Sequence, residues 1–193
     1  NPISNIDKIT KIRQPQESTT PMNRTHPTYY TTEHLPQGWV AAICSEQGIR
    51  ALSPPSSSEA LAMASIKLNY STGTRRPEKF TQLLHELTLY FDGKTQHFSS
   101  PVDLSHRPPF FQRAWDLCRT IPYGETRSYG WLASECGSPT AHRAVGQAMA
   151  RNPVPIFVPC HRILRANGTL GGFAWGLEFK SWLLDLESKN VGE

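Results

Sequence analysis

Three prolines pin one apolar run, VPIFVPCHRIL, from Val154 to Leu164: Pro155 and Pro159 lie within it and Pro153 stands immediately before it. The apolar side chains call for burial, but the prolines rule out two ordinary ways of achieving it. Each proline fixes φ and removes an N–H, so the run can be neither a helix interior nor a central strand. What remains is a stiff, irregular or extended segment inside the protein, a form that suits a positioned side chain. The segment leads to Cys160, followed by His161 and Arg162. A cysteine in an apolar run is usually core, and on spacing alone Cys160 is no better placed as a nucleophile than as filler. As a nucleophile it would have His161 for a base, and Arg162 could lock the loop or help lower the thiol pKa. Adjacent side chains often point apart, so Cys160 and His161 would communicate through water. Downstream, ANGTLGGFAWG carries Gly168, Gly171, Gly172 and Gly176, a loop able to approach a ligand closely.

The surrounding chain supplies the scaffold. Its 193 residues suit one domain or two small ones. Cys44, Cys118, Cys136 and Cys160 are scattered, with no CxxC pair. That pattern argues against a cysteine zinc knuckle and against a disulfide framework, and points to a reducing compartment. No apolar run reaches the ~18 residues of a membrane span, and no basic-then-apolar leader is visible. Residues 1–35 are rich in Thr, Asn, Pro and Ser and read as a flexible tail, with Met22 a candidate natural start. Residues 36–104 read as an α/β domain. Gly38 to Leu52 gives two strands around a Glu-Gln-Gly turn, SSSEALAMASIKL a capped helix, and Pro77 to Gly93 a helix with Phe80, Leu83, Leu84 and Leu87 on one stripe.

Residues 105–193 read as all-helical. Phe111, Ala114, Trp115 and Cys118 share a face; Ser128 can cap a second helix bearing Tyr129, Leu132, Ala133 and Cys136; Ser138-Pro139 begins a third with Ala144, Val145, Ala148 and Met149 inside. The turn at Cys136-Gly137-Ser138 gives a helix-turn-helix pattern, with Arg143, Gln147 and Arg151 facing out. A polar-faced helical hairpin would look the same. The charge distribution favours DNA: between Ser105 and Arg165 stand eight arginines, no lysine and three acids, within a chain of formal charge +4. Arginine's planar fork suits phosphate.

The motifs IPYGETRSYGWLA, SPTAHRAVGQAMARNPVPIFVPCHRIL and GTLGGFAWGLEFKSWLLDLE resemble those of O6-alkylguanine-DNA alkyltransferases, also called methylated-DNA–protein-cysteine methyltransferases. The resemblance covers about Pro36 to Glu187 and is strongest after Phe110. It implies an N-terminal domain with a ribonuclease-H-like sheet, then a helical domain carrying the helix-turn-helix. It also implies one irreversible turnover, in which a flipped guanine gives its alkyl group to cysteine, with no cofactor. Carried over by position, the acceptor is Cys160, and His161 relays a proton through water, oriented by Glu187. Tyr129 donates towards the guanine ring, Asn152 ties the helix-turn-helix to the loop, and Lys180 supports the loop. Arg143 fills the gap left by the flipped nucleotide, while Ser128, Arg127, Gln147 and Arg151 are candidate DNA contacts. Met149, Pro155 and Phe173 wall the base pocket, and backbone groups at Cys160, Ile163 and Ala174 read the guanine edge.

The sequence departs from the family pattern at His142, where alanine is common, and at Phe173, which lacks a tyrosine hydroxyl. Some members bind zinc through N-terminal Cys and His ligands; only Cys44 is available here, so no metal site is expected. The implied partner is double-stranded DNA containing O6-alkylguanine, with O4-alkylthymine a second candidate substrate. Binding is expected to be largely sequence-independent, by a monomer away from membranes, in the cytoplasm of a bacterium or the nucleus of a eukaryote. Two other classes compete: a helix-turn-helix regulator sensing alkylation at Cys160, and a Cys-His-Glu hydrolase.

Overall fold

The computed structural model describes residues 28–67 and 73–191. Most of the expected N-terminal tail, with Met22, lies outside the described residues, as does Leu68 at the end of the first expected helix. The order is β1 (Tyr29–Leu35), β2 (Gly38–Cys44), β3 (Ile49–Leu52), α1 (Glu59–Ser65), β4 (Thr74–Arg75), α2 (Thr81–Phe91), α3 (Pro109–Arg119), β5 (Arg127–Ser128), α4 (Tyr129–Glu135), α5 (His142–Ala150), β6 (Ile163–Leu164) and α6 (Leu177–Lys189). No helix among the described residues is long and apolar enough to cross a membrane.

The first half is a mixed sheet in the order β3-β2-β1-β4. β1 and β2 pair antiparallel over their full length, and β4 joins β1 in parallel. Strand side chains alternate between faces, and β2 is apolar on both. Val40, Ala42 and Cys44 point into the main core, while Ala41 and Ile43 meet Ala62 and Met63 of α1 in a second cluster. The α1 helix starts where Ser58 accepts the Leu61 N–H, a side-chain N-cap. A 3-10 turn at Pro77–Phe80 leads into α2, and Gly93, at φ +71°, closes it.

The second half packs α3, α4 and α5 through Ala114, Trp115, Cys118, Leu132, Ala133, Val145 and Ala148, all buried. Trp115 Nε1–H donates to Ala148 O at 2.9 Å, satisfying the one polar atom of a fully buried indole. The main core continues from the sheet into these helices, and Leu52 N–H of β3 donates to Pro153 O at 2.9 Å. The loop that leads to Cys160 is thus bonded to the sheet.

Three expectations need correction. Residues Tyr29–Leu35, placed in the tail, form the strand β1. Its threonines look polar, yet Thr31 and Thr32 are buried, and Thr32 Oγ1–H donates to Glu59 Oε1. The second half is not purely helical, because β5 and β6 form a two-residue parallel ladder. The third helix of that half begins at His142, not at Ser138-Pro139. Ser138 O instead accepts Ala141 N–H in a turn, and no side chain caps the helix.

Candidate active site

The segment from Asn152 to Arg162 is the buried irregular run that the prolines dictate. Ile156 takes φ +77° while only 1% exposed, a left-handed conformation that is strained for a β-branched residue. Its neighbours hold it there. Val158 N–H donates to Val154 O at 3.0 Å, and Asn152 spans the loop from the end of α5. The Asn152 Oδ1 accepts Val154 N–H at 3.0 Å, and its Nδ2 donates to Val158 O at 2.8 Å and to Cys160 Sγ at 3.0 Å. Cys160–Arg162 then makes one 3-10 turn, with all three side chains buried.

Behind this turn sits one carboxylate with five donors. Glu187 Oε1 accepts His161 Nε2–H at 2.7 Å, Tyr90 Oη–H at 2.7 Å and Arg162 Nη2–H at 2.9 Å. Its Oε2 accepts Arg162 Nε–H at 2.9 Å and Gly124 N–H at 3.0 Å. Arg162 also donates Nη1–H to Ile121 O at 2.6 Å. Glu187 and His161 are fully buried. Although burial raises the Glu187 carboxyl pKa, the His161 and Arg162 donors outweigh it and hold that pKa far below the usual carboxylate range. Burial pushes the His161 imidazole pKa down, against the pull of Glu187. His161 is therefore a neutral ring near neutral pH, with Nε2 committed to the carboxylate. Its Nδ1 is buried and has no hydrogen-bond partner among the described residues.

Burial pushes the Cys160 thiol up to about 11, against the Asn152 hydrogen bond and the Lys180 charge. The suggestion that Arg162 helps to lower the thiol pKa is thereby corrected: Arg162 locks the loop by binding Glu187, and the resting thiol is protonated. Lys180, from α6, is fully buried and donates Nζ–H to Ile163 O at 2.6 Å and to Leu170 O. Burial brings its pKa down to about 8. It pins the strand after Cys160 to the glycine loop.

The other predicted residues fall around this centre. The β5–β6 ladder sets Arg127 opposite Ile163 and Ser128 opposite Leu164, which brings the start of α4, with Tyr129, beside the Cys160 loop. Tyr129 Oη lies 3.5 Å from Gly172 O. At Gly171, φ is +66° and a Cβ would stand 3.0 Å from the Tyr129 ring, so any other residue would be strained there. Met149, Pro155 and Ile163 are buried, Phe173 is half-buried and Ala174 is exposed. The Phe173 ring stands edge-on to His161 at 6.4 Å. Arg143 and Gln147 are exposed on α5, and Arg151 is exposed just past its end. Arg127 is less free than expected, bonded to Glu125 at 2.7 Å, though a surface pair of this kind holds it weakly. The Ser128 hydroxyl oxygen accepts Trp131 N–H as the N-cap of α4.

Sequence reasoning missed Tyr90 and Gly124. Tyr90 sits on α2 among leucines and phenylalanine, where its stripe position looks like core. Gly124 lies in the turn that follows α3, and it serves through a backbone N–H that no sequence pattern marks.

Residues 28–104 match the family described as 6-O-methylguanine DNA methyltransferase, ribonuclease-like domain, and residues 109–189 match the same family's DNA binding domain. A methylated-DNA–protein-cysteine methyltransferase of Mycobacterium leprae is 47% identical over 112 residues, 58% of this chain and 67% of that protein. The constitutive methylated-DNA–protein-cysteine methyltransferase of Bacillus subtilis is 37% identical over 160 residues, 82% of this chain and 94% of that protein. The crystal structure of Mycobacterium tuberculosis OGT in complex with DNA superposes with TM-score 0.71 at 35% identity, covering 84% of this chain and 94% of that one. With both halves matched in order and a relative covered almost end to end, the chain belongs to the 6-O-methylguanine DNA methyltransferase family.

Proposed function

We propose that this protein repairs DNA by direct reversal, moving the alkyl group of O6-alkylguanine onto its own Cys160 in a single turnover. The observation that carries this reading is the acceptor's setting: a buried thiol 3.0 Å from Asn152 Nδ2, next to a histidine held at 2.7 Å by Glu187. The named relatives supply the substrate class. Neither the regulator nor the hydrolase explains why both domains match this family.

The thiol begins protonated, so it needs a base at the moment of reaction. Neutral His161 offers Nδ1, because Nε2–H is spent on Glu187. The Cys160 proton passes through water to Nδ1, and Glu187 stabilises the imidazolium that forms. The sulfur pair forms the new S–C bond, and the C–O6 bond breaks with its pair staying on the guanine. Tyr129 gives its proton to the ring as the base leaves, so guanine departs neutral, and the proton taken up by His161 returns through water to the tyrosine, restoring both groups. Asn152 Nδ2–H supports the sulfur as charge grows on it. A thioether has no easy leaving group, so the protein stays alkylated.

A guanine within a duplex hides its O6, and extrusion costs a few kcal/mol. Arg143, exposed on α5, is the side chain to fill the vacancy. The α4–turn–α5 unit acts as the helix-turn-helix, with Arg127, Ser128, Gln147 and Arg151 as backbone contacts, which are sequence-independent. Met149, Pro155, Ile163, Phe173 and Ala174 enclose the flipped base. The first domain spans residues 28–104 and the DNA-binding domain residues 105–193.

The test is incubation with O6-methylguanine DNA followed by intact-protein mass measurement and peptide mapping. One methyl adduct per chain, on Cys160 and lost in Cys160→Ser, is expected. Repeated product release without an adduct, or label spread over Cys44, Cys118 and Cys136, overturns the assignment.

A further inference from the structure

The first domain reaches into the chemistry through one atom. Tyr90 lies on α2, is fully buried, and is 97 residues from Glu187 in sequence. A buried tyrosine hydroxyl needs a partner, and the one it has is Oε1, the same oxygen that receives His161 Nε2–H. Tyr90 Oη also lies 3.4 Å from His161 Nε2. Both oxygens around Nε2 are therefore acceptors towards it: the carboxylate by charge, and the hydroxyl because its own proton is spent on Oε1. A ring nitrogen facing two acceptors must carry the hydrogen, so the lone pair is left on Nδ1.

The ring's own position is fixed by aromatic neighbours on three sides. Phe91, Phe98 and Tyr123 stand at centroid distances of 5.9, 5.4 and 6.1 Å. Phe98 and Phe91 belong to the first half of the chain and Tyr123 to the second, so Tyr90 is clamped at the junction of the two.

We propose that Tyr90 is a positioning residue of the proton relay, its hydroxyl holding Glu187 Oε1 against His161 Nε2–H and moderating the carboxylate's hold on the ring. The first domain, which otherwise supplies no side chain to the reaction, thereby completes the site. The idea rests on the alkyl-transfer reading for its rate consequences and on geometry alone for the hold on the ring.

The hydroxyl also tunes the base. The groups facing His161 are Glu187 and Lys180 from α6, Tyr90 from α2, and Cys160 and Arg162 from its own turn, with Tyr123 beyond Tyr90. A proton donated to Oε1 draws negative charge from the carboxylate and so weakens its support of the imidazolium. Without it, Glu187 supports the charged ring better, and His161 protonates at a higher pH.

Tyr90→Phe removes the hydroxyl and keeps the ring. Transfer to Cys160 should slow about tenfold at neutral pH, the scale set by one hydrogen bond to a charged group. The acidic limb of the rate–pH profile should move to higher pH, while affinity for DNA stays unchanged. Nitrogen-15 spectra of His161 read the same effect without any transfer. Wild type should show a single Nε2–H tautomer, and Tyr90→Phe the same tautomer with a raised pKa, because Glu187 Oε1 still accepts from Nε2. Should Tyr90→Phe fold poorly, 3-fluorotyrosine at position 90 keeps the shape and donates more strongly, so the limb and the imidazole pKa should shift the opposite way. Ring nitrogens and pH limb unmoved in either variant would overturn the proposal, whatever happens to the rate. A wild-type protein that forms no adduct but shows these nitrogen shifts would instead sink the alkyl-transfer reading alone.

Discussion

Replacing Glu187 by glutamine changes one oxygen to an amide and removes one charge. The structure makes this a severe substitution. Wild-type Glu187 accepts from His161, Tyr90, Arg162 and the Gly124 backbone. A glutamine cannot accept all five bonds, since its NH2 must face at least one donor. Arg162, whose side chain is only 7% exposed, would keep its charge and lose its counter-ion. Breaking a buried pair from one side costs about 3–5 kcal/mol, a large share of a typical ~5–15 kcal/mol stability. At about 2–4 °C per kcal/mol for a chain of this size, the melting temperature should fall by roughly 6–20 °C. The pH dependence checks the cause. Because the folded carboxyl titrates far below its ordinary value of 4.5, its stabilisation is complete above that pH and is lost as pH falls towards the folded value. A protonated Glu187 and the glutamine that replaces it are alike in charge, so the two proteins should converge in stability as the medium is acidified. Urea unfolding followed by circular dichroism at neutral and acidic pH measures both numbers. A neutral-pH loss below about 1 kcal/mol, or a gap that persists undiminished in acid, would refute the hub's energetic role. Transfer rate should drop roughly 10²–10⁴-fold in the folded fraction, the range of general-base effects.

Two further outcomes are expected. Asn152→Ala removes the donor to Cys160 Sγ and strands Val154 N–H and Val158 O, so it should cost about 2–4 kcal/mol. It should also move the pH profile of iodoacetamide labelling at Cys160 upward, because the lost hydrogen bond favours the thiolate; an unmoved profile would disprove the contact. Arg143→Ala should slow repair of duplex substrate strongly and leave reaction with free benzylated guanine nearly unchanged, whereas Arg151→Ala should weaken DNA binding and flatten its salt dependence. Equal loss on duplex and free base would mean that Arg143 supports the pocket.

The helices were legible because each buries one stripe at helical spacing: Phe111 to Cys118, Tyr129 to Cys136, Phe80 to Leu87. The acceptor loop was legible because proline chemistry is local. β1 was not, since Thr31 and Thr32 are buried with hydroxyls that read as solvent-facing, and Tyr30 alone gives no alternation. The start of α5 was misplaced because Ser138-Pro139 carries cap chemistry that the chain spends on a turn. Among site residues, His161 was legible from its place beside Cys160 and Glu187 came from the family motifs, but their partners Tyr90 and Gly124 came from neither. A hydrogen bond between residues 97 apart leaves no trace in local pattern.

The crowded carboxylate also shapes how such a protein can vary. Positions 90, 124, 161, 162 and 187 meet at two oxygen atoms, so a change at one alters what is tolerable at the other four. Substitutions there should be strongly epistatic, with coupling energies of about 0.5–3 kcal/mol between pairs. The exposed Arg143 and Arg151 share no such centre and can drift one at a time. Libraries that seek new substrates would therefore do best to diversify Phe173, Ala174 and their loop freely, and to treat those five positions as one inherited unit.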